Sequence, residues 1–218
     1  MESVKNEHYS DDYFKWQSQI GVFGGIANRK KFEEYIKPSD FVVDFGVGGG
    51  YLIEGINCAK KIGIEIKPSA RAAAEARGLT MYENFNQIED STVDVVISNH
   101  ALEHTDAPLE ILRQIHRVLK KNGKVIFVVP CEAVSLQYVE TDTNFHLYTW
   151  SPMNLGNLFR RAGFDVVESK PYMHKWPPSN FRTIQKYIGW TGFHFICRIY
   201  SHLSRRSFQV RCIAVKKT

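Results

Sequence analysis

Phe41–Glu54, FVVDFGVGGGYLIE, is the stretch that decides the fold of this chain. Phe41, Val42 and Val43 form a short apolar run of β-branched and aromatic side chains, the composition of a buried strand. The run closes on Asp44, after which Gly46, Gly48 and Gly50 alternate before a segment of helical character. Glycines placed there let the backbone turn sharply and let a ligand approach without meeting a Cβ. A purely structural turn would use the same residues, so the spacing has to discriminate. A dinucleotide fingerprint requires G-x-G-x-x-G; set on Gly46 and Gly48, its third glycine falls on Tyr51. The run is D-x-G-x-G-x-G instead. Lys61–Ile66 (KIGIEI) reads as a second strand closing on Glu65, about twenty residues after Asp44, where an acid accepts hydrogen bonds from ribose hydroxyls. Together these features predict a nucleoside-containing cofactor.

Composition sets the outer bounds. At 218 residues the chain fits one domain, with a core that needs no metal or disulfide to hold it. There is no apolar run long enough to span a bilayer. The first residues, MESVKNEHYSDD, have no apolar h-region, so a cytoplasmic location is expected. Cys58, Cys131, Cys197 and Cys212 lie too far apart for a C-x-x-C pair and read as small buried hydrophobes in a reducing compartment. The net charge of +5 leans on the last segment, where Arg198, Arg205, Arg206, Arg211, Lys216 and Lys217 collect. Such a cluster suits an anionic acceptor or surface, and equally a solvated face.

Outward from the glycine run, the chain alternates strands and helices. Tyr9, Tyr13, Phe14, Trp16 and Ile20 have the spacing of one helical face; Gly21, Gly24 and Gly25 are expected to break that helix. Arg29–Ile36 reads as a second helix stopped by Pro38. Two readings stand: a pair of packing helices, or a flap whose Tyr13 and Trp16 close the cofactor pocket about a glycine hinge. Further on come a helix over Pro68–Arg77 capped by Gly78, a strand over Leu79–Tyr82 and another over Val93–Ser98. The loop Asn99–Asp106, an amphipathic helix over Pro108–Lys120, a turn at Asn122-Gly123 and a strand over Lys124–Val129 follow. This order predicts an α/β, Rossmann-like doubly wound sheet, mostly parallel, with right-handed crossovers.

Beyond it, Cys131–Thr149 is a polar and aromatic connection. Ser151 and Pro152 open a helix over Met153–Ala162, and strands are expected at Phe164–Glu168 and Ser207–Val215. The expected organisation is a single domain: an N-terminal helical cap (1–37), the core (38–170), an aromatic-rich helical insert (171–206) and the final strand (207–218). A connection as long as the insert carries function or structure of its own. It reads as a lid, a homodimer surface or a peripheral membrane contact.

With these elements placed, Lys31 to Glu168 resembles the class I S-adenosylmethionine (SAM)-dependent methyltransferases of the type 11/type 23 small-molecule group. The stretches that carry the likeness are VVDFGVGGG, IGIEI, VDVVISNHALEHTDAPLEILRQIHRVLKKNGKVIFVVP and FHLYTWSPMNLGNLFRRAGF. The resemblance implies seven strands, the last antiparallel, with SAM as cofactor and S-adenosylhomocysteine as its product. It further implies that Asp44, Gly46, Gly48 and Gly50 surround the methionine end and that Glu65, with Ile66 beside it, holds the ribose. Asn84 and Phe85 fall where the family holds adenine, and Asn99 lies beside the sulfonium. One departure excludes a class of substrate. Where nucleobase N-methyltransferases place an N-P-P-Y-type motif, this chain has Asn99-His100-Ala101-Leu102.

Methyl transfer from a sulfonium is an in-line displacement, catalysed largely by orientation. An amine need only arrive uncharged, whereas a hydroxyl needs a base, and histidine titrates in the right range. The loops after the fourth and fifth strands carry His100, His104 and His146, of which His104 and His146 are the expected catalytic pair: His104, just beyond Asn99, as the favoured base, and His146 to orient the substrate or share the task. A divalent cation on Glu103, His104, Asp106 and Asp142 is the weaker reading for want of a compact pattern, so no metal is expected. The expectation is O-methylation of a small-molecule or glycan hydroxyl. N- or C-methylation, or a silent SAM-binding partner subunit, are the alternatives. No appended module or large basic surface marks a nucleic-acid substrate.

Overall fold

Phe41–Val43 is a strand because it is paired on both sides. β1 (Phe41–Phe45) runs parallel to β2 (Lys60–Ile64) and to β4 (Val93–Asn99), leaving Val42 and Val43 with no solvent exposure. The structure, a computed structural model, describes residues 11–178, 180–204 and 207–217, with the side chains of 11–19 and 207 outside that description. The remaining strands are β3 (Thr80–Tyr82), β5 (Leu119–Glu132), β6 (Asp165–Tyr172) and β7 (Ser207–Val215). They form one seven-stranded sheet in the order β3-β2-β1-β4-β5-β7-β6. β7 is antiparallel to β5 and β6; the other pairs are parallel. The order reverses between β1 and β4, so a ligand crevice is expected outside their carboxyl ends. That is where the glycine run and Asn99 lie.

Helices α1 (Asp11–Arg29), α2 (Pro68–Glu75), α3 (Pro108–Val118), α4 (Pro152–Arg161) and α5 (Phe181–Leu203) complete the chain. Leu112 and Ile115 of α3 and Leu155 and Phe159 of α4 fill one face of the sheet, against Val43, Val96 and Phe127. Phe32, Ile53 and Ala74 cover the other, against Val42, Val95 and Ile126. Ser151 caps α4, its Oγ accepting from Asn154 N at 3.2 Å.

Several local expectations need correcting. Gly21, Gly24 and Gly25 do not break the first helix; α1 runs through them to Arg29. Gly21 and Gly25 are there for close approach. A Cβ on Gly21 would overlap the Tyr51 ring, and one on Gly25 would meet the Tyr51 carbonyl group. The cost of glycine in a helix, about 1 kcal/mol each, is offset by packing α1 backbone-to-backbone on the glycine-rich turn. The flap reading therefore loses its glycine hinge. The second helix shrinks to a 3-10 turn, Glu33–Tyr35. α3 stops at Val118, and β5 starts at Leu119, earlier than expected. Asn122 takes φ 65 and its N–H donates to the Lys216 carbonyl at 2.6 Å, so the expected turn is absorbed into the β5–β7 edge. Of the cysteines, Cys197 and Cys212 are buried, while Cys58 and Cys131 are half-buried.

The tightness of the α1–Tyr51 contact is testable by paired substitutions. Gly25→Ala should destabilise the chain by about 1–3 kcal/mol, the usual cost of overpacking. At Gly24 a Cβ would sit 3.4 Å from the Trp176 ring, an ordinary contact. Gly24→Ala should therefore be neutral, or stabilising by up to about 1 kcal/mol. Urea midpoints in the opposite order would show that α1 does not pack as described.

Candidate active site

The turn after β1 is shaped by backbone geometry that only glycine adopts readily: φ is 70° at Gly46, 54° at Gly48 and 82° at Gly50. Gly46 and Val47 donate their N–H groups to the Ile64 carbonyl at 2.9 and 3.1 Å, anchoring the turn to β2. A Cβ on Gly46 would overlap the Ala101 side chain. Glu65 stands one residue beyond β2 and is held from two sides. Its Oε2 accepts from Gly48 N at 3.0 Å and its Oε1 from Lys67 N at 2.9 Å. Each oxygen keeps a lone pair for a further donor. Asp44 is buried at the mouth of the turn; burial, and then the Glu65 charge, push its carboxyl well above the usual range.

Between this turn and the glycine face of α1 lies a recess of about 170 Å³, lined by Gly21, Gly25, Asp44, Gly48, Tyr51 and Asn99 among others. Not every expected cofactor contact reaches it. The Phe85 ring is 1% exposed and packs 5.8 Å from Phe45, because the core claims it. Asn84 Oδ1 accepts from Asn86 N at 2.9 Å, closing its own turn. Ile66 is exposed. The Tyr13 and Trp16 side chains lie outside the described residues.

Sharing Gly46 and Asn99 with that recess is a second cavity of about 510 Å³. It gathers His100, His104 and His146 from the loops after β4 and β5. His104 and His146 are far apart in sequence, yet their rings lie 5.0 Å apart, edge to face. The cause is a stitch between loops: Leu147 N–H donates to the Glu103 carbonyl at 2.9 Å, laying residues 146–148 along the 3-10 turn Leu102–His104. His146 Nδ1 is 2.7 Å from Glu132 Oε1 at the end of β5. An ionised carboxylate can only accept, so Nδ1 carries the proton and Nε2 is the basic nitrogen. Burial, only partly opposed by the Glu103 charge, lowers His104 below the ordinary 6.5, which keeps it neutral near pH 7.

Behind these groups sit Glu103, which the sequence suggested only as a cation ligand, and residues that sequence reasoning missed. Glu103 is wholly buried, with its Oε1 3.3 Å from His100 Nδ1. Lys31 is buried, and its Nζ donates to Asn99 Oδ1 at 2.7 Å and to Gln209 Oε1 at 2.8 Å. Burial pulls its pKa down to about 7, against the opposing charge of Glu103. His174, 2.9 Å from His194 between ring nitrogens, is pushed down to about 3 by burial and by Lys31. Nothing local in the sequence marks Lys31 or His174. Glu132 stands at a strand end, the usual address of such residues in open α/β sheets, and could have been found there. The cation grouping suggested by the sequence does not form. Glu103, His104 and His146 come together, with one ligand-type atom each within 4.8 Å, while Asp142 is engaged with the backbone N–H of Phe145 at 2.9 Å.

Comparison with known proteins agrees with this layout. The solved structure of a SAM-dependent methyltransferase from Archaeoglobus fulgidus superposes with a TM-score of 0.67 at 19% identity, covering 94% of this chain and 99% of that one. Phosphoethanolamine N-methyltransferase 2 of Haemonchus contortus, solved with S-adenosylhomocysteine, gives 0.69 at 16% identity over 99% of this chain and 60% of that one. At such identities the likeness speaks to fold. In sequence, the protein named "Probable methyltransferase ltbC" from Aspergillus luteorubrus is 33% identical over 180 residues, 64% of this chain and 62% of that protein. The demethylmenaquinone methyltransferase of Alkalihalophilus pseudofirmus is 29% identical over 112 residues, 38% of this chain and 46% of that protein. The chain thus spans less than two thirds of the length of these curated relatives. The residues present fit SAM: a recess walled by the turn at Gly46, Gly48 and Gly49, and a Glu65 carboxylate fixed with lone pairs to spare. The profile of the methyltransferase domain family matches residues 24–169, and the chain belongs to that family, with SAM as its cofactor.

Proposed function

We propose that this chain methylates a hydroxyl group of a small-molecule or glycan acceptor. SAM supplies an electrophilic methyl group when bound. The observation that carries the reading is the Glu132–His146 pair beside His104, at the wall of a cavity that shares Gly46 and Asn99 with the cofactor recess. In this reading Glu132 fixes the His146 tautomer and Nε2 of His146 takes the acceptor proton. His104, neutral near pH 7, orients the hydroxyl. Lys31 holds the Asn99 side chain in place between the two cavities. The cavity walls mix polar and apolar groups, and Asn144, Tyr172 and Lys175 add hydrogen-bonding groups suited to a polyhydroxylated molecule.

The test is a transfer screen with labelled SAM against nucleotide sugars, glycans and aromatic hydroxyls, run with and without a chelator. Transfer to a hydroxyl, with the rate unchanged by EDTA, is expected from a histidine base. Loss of rate on chelation and recovery with a divalent ion would move Glu103, His104 and His146 from base to metal ligands. Transfer to amines alone would replace the hydroxyl reading with N-methylation, for which no base is required.

A further inference from the structure

We infer that α5 seats this protein on an anionic membrane surface. The helix presents two contrasting faces. Its inner face, with Phe193 and Cys197 buried, packs on Ala27 and Phe23 of α1 together with Trp176. Its outer face should be polar if it only met water, and it is not. Phe195 is 64% exposed, Ile199 46% and Leu203 75%, a spacing of four residues that sets them in one stripe. Before the kink at Gly189, where φ is 67° and ψ −179°, Tyr187 is 82% exposed and Ile188 42%.

Charge identifies what covers the stripe. From residue 169 to residue 218 the chain holds ten lysines and arginines and no aspartate or glutamate. The whole chain carries +5, so the preceding 168 residues carry a net negative charge. The basic excess thus belongs to this end of the chain; Lys170 and Arg211 are paired with Glu168 and Lys217 with Asp165, which leaves the basic residues of α5 to face outward. On α5 itself Arg182 and Lys186, before the kink, and Arg198, next to Ile199 beyond it, are exposed. Beside them opens a recess of about 720 Å³, lined by Lys30, Lys170, Arg198 and His202, with Glu33 and Glu34 also on its wall.

An apolar stripe between basic residues is the pattern of a helix lying in the plane of a bilayer interface. It is not that of a spanning helix, and among the described residues no helix is long and apolar enough to cross. An acidic lipid head group answers the charge and acyl chains answer the stripe; water answers only the first. The position is also functional. Ser201 of α5 lines the acceptor cavity, so the cavity lies about one helix diameter, roughly 10 Å, from the seated face.

Flotation of the full chain with vesicles tests this without any acceptor, so its outcome is independent of the methylation reading. Binding to phosphatidylcholine vesicles containing phosphatidylglycerol is expected, with little binding to phosphatidylcholine alone and weakening at high salt. Each basic charge removed near a membrane weakens binding about fivefold. Lys186→Gln with Arg198→Gln should therefore weaken it about 25-fold. Phe195→Ser with Leu203→Ser should abolish it, and both pairs should keep the wild-type urea midpoint because the side chains are exposed. Absence of binding to the anionic vesicles overturns the inference, as does binding that survives both double variants. So does a concentration-dependent dimer that the Phe195→Ser, Leu203→Ser pair dissociates in the absence of vesicle binding, which would make the stripe an interface between copies.

Discussion

Calorimetry on a Gly48→Val variant should register no heat from S-adenosylhomocysteine at concentrations that saturate the wild-type chain. Gly48 takes φ 54°, in the left-handed region that a β-branched residue occupies only under strain. Its N–H donates to Glu65 Oε2, so relaxing that strain would also release the carboxylate expected to meet the ribose. The added methyl groups would meanwhile enter a recess of only about 170 Å³. Geometry and volume act in the same direction, so a complete loss is expected and not a graded one. Circular dichroism should show the fold retained. Wild-type affinity in this variant would mean that the glycine run is only a turn.

The second large effect falls on turnover. General-base assistance contributes roughly 100- to 10,000-fold, and His146→Ala should cost that much in kcat while leaving cofactor affinity near wild type. Glu132→Gln should retain part of the activity, since an amide oxygen can still accept from Nδ1 but no longer stabilises a charged imidazole. His104→Ala should raise KM more than it lowers kcat, as fits a group that orients the acceptor. The pH profile carries a further check. Burial holds His104 below 6.5, so it stays neutral near pH 7 and its hold on the acceptor should weaken only as the pH drops below that value. If alanine at either position leaves turnover intact with the true acceptor, the histidines are structural.

Much of this was legible because it is local. The strand, the glycine run and the acid one strand later occupy few residues, and each obeys short-range rules of turn geometry and burial. The same rules misread α1. Three glycines in a helix count as breakers until the partner surface is known, and that surface, Tyr51, lies on another element. Phe85 was misassigned for a similar reason: position in the chain placed it at the adenine edge, while packing against Phe45 drew its ring into the core. At the site, His104 and His146 could be named as candidates from their loops. Their meeting depends on backbone bonds from Leu147 and Tyr148 to the Glu103 carbonyl that no pattern announces. Lys31 was out of reach altogether. Its significance comes from Asn99 and Gln209, which lie 68 and 178 residues away.

The central claim is transfer of a methyl group from SAM to oxygen, and the product itself reports it. The chain is incubated with methyl-labelled SAM and an acceptor that bears both a free hydroxyl and a free amine, and the labelled product is read by NMR. An O-methyl resonance is predicted, lost in His146→Ala. An N-methyl or C-methyl resonance, or label that stays on SAM although the chain binds it and turns over no acceptor in the screen, would contradict the account.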